Sequence, residues 1–270
     1  MAAHRGSPSS TNVERGDLAI HHHDRDDPER KTDLSEAEQN MLLNGELEPI
    51  TSQMGLIAAD VATVADCFLA WQNEILQGSG MRVSRRKCTL SGIDALKALP
   101  PLTSPATTRF LFVATNSRWT VYFDNSNTGT DAATVMKVMA KKLNCEGMRV
   151  VHVKQTLPSK PKKDSRGNYG ATILEVFGSD MDYKRSICSM NDGGRWIFEQ
   201  SGIPYPFEDL SAYDRRVKRE RFTEEMLENY LMHFDARPFD EDWYGDESII
   251  LEKEGRFPFR VTEYSLEEYR

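Results

Sequence analysis

The chain has 270 residues, with 34 Lys and Arg against 42 Asp and Glu, so its formal net charge is −8 at neutral pH. Its 39% content of hydrophobic residues is that of a globular protein, and no sequence repeat of about 20–50 residues is present, which excludes solenoids and propellers. The acidic balance makes nucleic-acid binding unlikely, because such binding needs a basic surface that displaces phosphate counterions.

No stretch approaches the roughly 18 consecutive apolar residues of a membrane-spanning helix. The first residues also lack the apolar segment of a secretory signal. The four cysteines, Cys67, Cys88, Cys145 and Cys188, form no CxxC pair, which disfavours a zinc ribbon or a redox motif. We therefore expect a cytoplasmic protein with reduced cysteines, no cofactor, no metal site and no membrane association.

The N-terminal part of the chain, residues 1–33, is rich in Ser, Asp, Arg, His and Pro and poor in apolar residues. Such a segment buries too little surface to offset the entropy of ordering, so we predict a disordered tail followed by a single domain over residues 34–270. The predicted elements of the first half of the domain are helices over 36–44, 55–76 and 92–99 and a strand over 81–89.

Two hairpins dominate the remainder. Residues 110–115 and 119–124 are rich in β-branched and aromatic side chains and are separated by a polar triplet, and residues 184–190 and 195–200 flank a turn at 191–194. Further predicted elements are helices over 131–143 and 223–234, the second capped by Thr223, and strands over 150–154, 171–177, 248–251 and 259–262. Because strands arrive mainly as hairpins, we predict an α+β fold with a largely antiparallel sheet and helices packed against it.

Three segments together resemble a group of uncharacterised bacterial proteins. They are WTVYFDN at 119–125 with GTD at 129–131, GGRWIFEQSG at 193–202, and RFTEEMLENYL at 221–231 with FDEDWY at 239–244. The resemblance spans about residues 110–245 and implies a bacterial origin and one domain. It implies no activity and assigns no residue a role.

Catalytic constellations are scarce in the sequence. Outside the tail the only histidines are His152 and His233, which we expect to be solvated, and no GxSxG, HExxH, GxxxxGK[ST] or GxGxxG motif is present. The loop over 125–131 leads into a helix N-terminus, which favours anions, but Asp131 would repel one there. These observations favour a non-catalytic protein.

An acidic and aromatic segment near the C-terminus is the leading candidate for a functional surface. Aromatic anchors among carboxylates suit the capture of a basic protein partner, because the rings supply buried contact area and the acids steer the encounter. We therefore predict a protein-binding module, with an inhibitor or immunity-type protein for a basic bacterial toxin as its specific form. The predicted partner-binding residues are Phe239, Asp240, Glu241, Asp242, Trp243, Tyr244, Asp246 and Glu247.

The sequence leaves three alternatives open. Trp243 and Tyr244 would instead pin the segment to the core while the acids remain in water. A pocket near Asp124, Arg195 and Glu199 would make the chain an enzyme of unrecognised type, provided that the two hairpins are neighbours in the sheet. A structural subunit of a homo-oligomer is the third alternative.

Overall fold

A computed structural model describes residues 41–158, 166–180 and 183–269. The described residues belong to one compact unit. The predicted tail over residues 1–33 and the domain boundary at residue 34 lie outside the described residues and stay predictions.

A nine-stranded antiparallel sheet forms the centre of the fold, in the order β2-β10-β4-β5-β1-β6-β7-β8-β9. The predicted α+β class, with a largely antiparallel sheet and helices packed on it, is confirmed. Two short strands, β3 and β11, pair separately. The strands are β1 Gln53–Ile57, β2 Met81–Arg86, β3 Leu102–Ser104, β4 Arg109–Thr115, β5 Thr120–Asp124, β6 Gly147–Val153, β7 Ala171–Phe177, β8 Tyr183–Asp192, β9 Arg195–Gly202, β10 Tyr244–Gly255 and β11 Thr262–Tyr264.

Helices lie on both faces of the sheet. The α-helices among the described residues are α1 Val61–Ile75, α2 Ala132–Leu143, α3 Glu224–Met232 and the single turn α4 Leu266–Tyr269. Phe110 and Phe112 of β4 pack with α1 and α2, whereas Leu111 and Val113 of the same strand pack in the core that contains α3. This alternation follows from the two-residue period of a strand. None of the helices in the described ranges has the length and apolar character to cross a membrane.

The first predicted long helix begins later than expected. Residues 53–57 form β1, the strand between β5 and β6, and α1 starts only after Asp60, whose carboxylate accepts a hydrogen bond from the Thr63 N–H at 2.9 Å. A short apolar run does not distinguish a buried strand from a buried helix. Gly55 suits the central strand, because a Cβ atom there would lie 2.7 Å from the Met136 sulfur of α2.

Both predicted hairpins are present, as β4–β5 and β8–β9. The predicted cap of α3 is also confirmed, since the Thr223 hydroxyl accepts a hydrogen bond from the Met226 N–H at 3.3 Å. Local side-chain chemistry determines these features, which is why they were readable from sequence.

A buried ion pair attaches the segment between β9 and α3 to the sheet. Arg185 of β8 and Glu208 have fully buried side chains, and the Arg185 Nε and Nη2 atoms donate to the Glu208 carboxylate at 2.9 and 2.6 Å. Arg185 Nη1 also donates to the carbonyls of Ser201 and Gly202, and the Tyr213 hydroxyl donates to Glu208 at 2.8 Å. The pair is therefore hydrogen-bonded on both sides, as a buried pair must be.

We expect Glu208→Ala to lower the free energy of unfolding by about 3–5 kcal/mol, because it leaves the Arg185 guanidinium buried without a counter-charge. Urea unfolding measures this change. The double variant Arg185→Met/Glu208→Leu should recover much of the loss. Arg82→Ala, which breaks an exposed ion pair with Glu254, should change stability by less than about 1 kcal/mol. An equal effect of both single variants would contradict a special role for the buried pair.

Candidate functional site

Trp243 and Tyr244 lie in the core rather than on the surface. Their exposed fractions are 1% and 7%, and the Tyr244 hydroxyl donates a hydrogen bond to the Pro238 carbonyl at 2.7 Å. The expectation that these two rings form exposed anchors is therefore wrong. They pin the acidic segment to the sheet, as the alternative interpretation of the sequence proposed.

A groove lies beside this segment, between α3 and the chain that follows it. Its volume is about 260 Å³, and Leu231 and Ala236 form part of its wall while being fully buried themselves. Met232 is 55% exposed and Phe239 is half-buried, so apolar surface remains accessible at its rim. The lining residues are Glu228, Leu231, Met232, Ala236, Arg237, Pro238, Phe239 and Asp240.

The backbone after α3 reverses sharply and places Phe239 across from the helix. Asp235 adopts a left-handed conformation with φ of +56°, and the Ala236 N–H donates to the Leu231 carbonyl at 3.1 Å. Asp240 then accepts hydrogen bonds from Arg237 at 3.1 Å and from the Asp242 N–H at 3.0 Å. These local bonds hold the far wall of the groove in place.

The charge around the groove is strongly negative. Residues 224–247 contain nine carboxylates against Arg237 alone, a net charge of −8 that equals the formal charge of the whole chain, so the other residues sum to zero. Arg237 is itself paired with Asp240. In the part of the chain that the structure describes, the acids of this stretch with neither an ion pair nor a histidine contact are Glu225, Glu228, Asp235, Glu241, Asp242, Asp246 and Glu247.

The basic stretch over residues 215–221 does not neutralise these acids. Arg215 contacts Asp209 instead, at 3.8 Å, and no ion pair among the described residues links 215–221 to 240–247. Among the residues that line the groove, Glu228 is the carboxylate that makes no ion pair with a described residue, so it is available to an external cation.

His152 lies behind Phe239, with the two ring centroids 6.3 Å apart. Its side chain is only 9% exposed, and both ring nitrogens are buried without a hydrogen-bond partner within the described ranges. Burial, assisted by the nearby charge of Lys154, lowers the pKa of His152 to about 4. Although Nε2 lies 3.3 Å from a carboxylate oxygen of Glu224, the imidazole is uncharged at neutral pH and the contact is not an ion pair.

The expectation that His152 is solvated is thus wrong. It shares a face of β6 with Met148 and Val150, which belong to the core beneath α3, while Val151 packs on the opposite face. Other elements cover both faces of the sheet at β6. The His152 side chain is therefore buried even though it points to the face opposite to Val151. His233 is exposed and stacks on Phe207 with ring centroids 4.4 Å apart.

The alternative pocket near Asp124, Arg195 and Glu199 is not formed. Asp124 ends β5 and the other two residues belong to β9, with β1, β6, β7 and β8 between them. Five inter-strand spacings separate the groups by more than about 20 Å. Asp124 is 2% exposed, whereas Arg195 and Glu199 are exposed, so these residues do not share a site.

Asp124 serves the start of α2 instead. Its carboxylate accepts hydrogen bonds from the Tyr122 hydroxyl at 2.8 Å and from the N–H groups of Ser126 and Asp131 at 2.9 and 3.2 Å. The helix N-terminus that the sequence marked as a possible anion site therefore already faces a carboxylate of the chain itself. Burial raises the pKa of Asp124 to about 6.

Sequence reasoning identified Phe239 and Asp240 but missed the α3 side of the groove. Glu228 and Met232 lie one helical turn apart, off the buried stripe of Leu227, Tyr230 and Leu231. An exposed methionine beside a helical carboxylate was the available signal. The reversal at Asp235 that brings Phe239 opposite this face was not visible in the pattern.

Comparison with known proteins assigns no relative to the chain. A scan against protein-family models finds no match, and searches of curated proteins and of solved structures find none either. Within residues 41–158, 166–180 and 183–269, no group of three or more His, Cys, Asp or Glu side chains is arranged to hold a metal ion. The groove is therefore the candidate site on its geometry and charge alone.

The raised pKa of Asp124 predicts a pH-dependent contribution to stability. Its folded pKa of about 6 exceeds the usual 3.8, so the folded state favours the protonated form and the wild type loses stability as pH rises from 4 to 6. The Asp124→Asn variant lacks this pH-dependent contribution to stability. The difference in unfolding free energy between wild type and variant should change by about 3 kcal/mol over that range in denaturant titrations. If the unfolding free energies of the two proteins changed with pH in parallel, the prediction would be wrong.

The lowered pKa of His152 predicts that stability changes with pH in the opposite direction. Its folded pKa of about 4 lies below the usual 6.5, so the wild type loses stability as pH falls between these values. We expect His152→Leu to be at least as stable as wild type at pH 7, because two unpaired buried nitrogens are removed, and to gain up to about 3 kcal/mol on wild type near pH 4. Thermal and urea unfolding at both pH values measure this. A variant less stable than wild type at pH 4 would show that the imidazole has a hidden partner.

Proposed function

We propose that this chain is a non-catalytic protein-binding module whose groove between α3 and residues 236–240 captures a basic segment of another protein. The observation that carries the proposal is the coincidence of an apolar groove with the stretch that holds the entire net negative charge of the chain. Inhibition of a basic bacterial toxin, as an immunity-type protein would perform it, is the form of binding that this charge favours.

The charge supports a cationic ligand. Glu228 lines the groove without an ion pair in the described part of the chain, and the other unpaired carboxylates of residues 224–247 would attract a segment rich in Lys or Arg at longer range. The N-terminal residues of the chain itself are a poor occupant, since residues 1–40 contain more acids than bases. A separate basic protein fits the groove better.

The apolar wall supports affinity. Met232 and Phe239 offer exposed contact surface next to Leu231 and Ala236, and such a patch rimmed by polar groups is typical of a protein-interaction site. Methionine adapts its shape to different ligands, and an aromatic ring supplies a large contact area. We therefore expect a segment that combines a basic residue with a neighbouring apolar one.

Glu228 contributes a carboxylate to the lining of the apolar groove. Burial, with the neighbouring charge of Glu225, raises the pKa of Glu228 above its usual value. A bound guanidinium or ammonium group would favour the ionised carboxylate and lower this pKa again. Binding should therefore release a proton and strengthen as pH rises through the raised pKa of Glu228.

The experiment measures binding of a fluorescein-labelled 12-residue peptide that contains Arg and Leu, with a matched peptide in which every Arg is replaced by citrulline. We expect Glu228→Gln and Phe239→Ala each to weaken binding of the Arg peptide by about tenfold in fluorescence anisotropy, because they remove an ionic contact and an apolar anchor. The citrulline peptide should bind weakly to all proteins.

Asp246→Asn is the matched control, because it removes one unpaired carboxylate of the same acidic stretch outside the groove. It should change affinity by less than about twofold. Melting temperatures show whether each variant is folded. Equal binding of the Arg and citrulline peptides, or wild-type affinity in folded Glu228→Gln and Phe239→Ala, would contradict the proposal.

A further inference from the structure

The two edge strands of the nine-stranded sheet differ in the features that prevent pairing with a strand of another molecule. One edge strand, β2, carries Arg82, Arg85 and Arg86 within six residues, and each of them forms an ion pair with a carboxylate of the same chain. Charged side chains are a common means of preventing edge strands from pairing. The opposite edge strand, β9, has eight residues of sequence RWIFEQSG, with no proline and no lysine.

The outer backbone of β9 is available for pairing. The β8–β9 turn is Gly193–Gly194, and a two-residue turn makes its flanking residues, Asp192 and Arg195, a hydrogen-bonded pair. Alternation then points the N–H and C=O groups of Trp196, Phe198 and Gln200 away from β8. No backbone hydrogen bond from outside β8 reaches these three residues within the ranges that the structure describes.

The sequence of β9 is complementary to itself. Two antiparallel copies of β9 can pair edge to edge about a two-fold axis at Ile197. Arg195 of each copy then lies opposite Glu199 of the other, and Trp196 lies opposite Phe198. Opposite charges and aromatic residues are both favourable cross-strand pairs. A two-fold axis at Glu199 or at Arg195 would instead place like charges opposite each other. An axis at Phe198 would place Glu199 opposite Ile197.

The crossing at Ile197 also agrees with the backbone pattern. Trp196 and Phe198 carry the outward hydrogen-bonding groups, so they form hydrogen-bonded pairs across the two-fold axis, while Ile197 lies at a non-hydrogen-bonded position where side chains approach most closely. A two-fold axis repeats each contact, as a symmetric dimer requires.

We propose that two copies of this chain associate through β9, with a two-fold axis at Ile197 and Arg195 of each copy opposite Glu199 of the other. The two sheets then continue into one another. Arg195 and Glu199, which do not form a pocket with Asp124 in one chain, acquire a role together across this interface. The interface is independent of the groove beside α3, which belongs to another part of the fold.

Sedimentation velocity and light scattering over a concentration series test the proposal. The wild type should reach twice the chain mass of 30.7 kDa. Arg195→Glu and Glu199→Arg, both at exposed positions, should each weaken dimerisation by about tenfold or more, because two like-charged pairs replace two opposite ones. An equimolar mixture of the two variants should regain the wild-type affinity, since every cross-strand pair is then of opposite charge.

Three results would overturn the inference. The first is a wild type that stays monomeric up to about 100 µM. The second is wild-type dimerisation in both single variants, which would place any interface elsewhere. The third is a mixture that stays as weak as its components while circular dichroism shows both to be folded, which would exclude the Ile197 register. Peptide binding in the groove should be unchanged in all of these proteins.

Discussion

The Arg185–Glu208 pair connects the sheet to the segment between β9 and α3. Glu208 accepts a hydrogen bond from the Tyr213 hydroxyl, which lies 3.3 Å from the hydroxyl of Tyr230 on α3. This chain of contacts leads from β8 to the helix that forms one wall of the groove. Since an unpaired charge at either end would be buried, the pair holds the segment in one arrangement, and the position of α3 depends on it.

Charge is distributed unevenly over this framework. One 24-residue stretch carries a net charge of −8 around an apolar groove, and the remainder of the chain is neutral in sum. The sheet edges show the same kind of local difference, since β2 carries three arginines and β9 carries one charge of each sign. Both proposals, capture of a basic segment and pairing of β9 with a second copy, follow from where charges lie rather than from how many there are.

Two buried titratable groups oppose each other in the pH dependence of stability. Asp124 favours the folded state at low pH, whereas His152 favours it at neutral pH. Burial is the largest cause of the pKa shift of both groups. The net acid response of the wild type is therefore a small difference between two larger effects, and single variants separate them.

Sequence alone determined the features that depend on neighbouring residues. The hairpins at 110–124 and 184–200, the Thr223 cap and the acidic stretch at 240–247 were all predictable, because turn chemistry, capping and charge are local properties.

Tertiary structure decided the rest, because burial depends on which element lies opposite. It made residues 53–57 a central strand rather than the start of a helix, since the apolar run had the right composition for both. It buried Trp243 and Tyr244 and left Phe239 at the groove. It also separated Asp124 from β9, because the order of strands in a sheet is set by packing between distant segments, which no local pattern records.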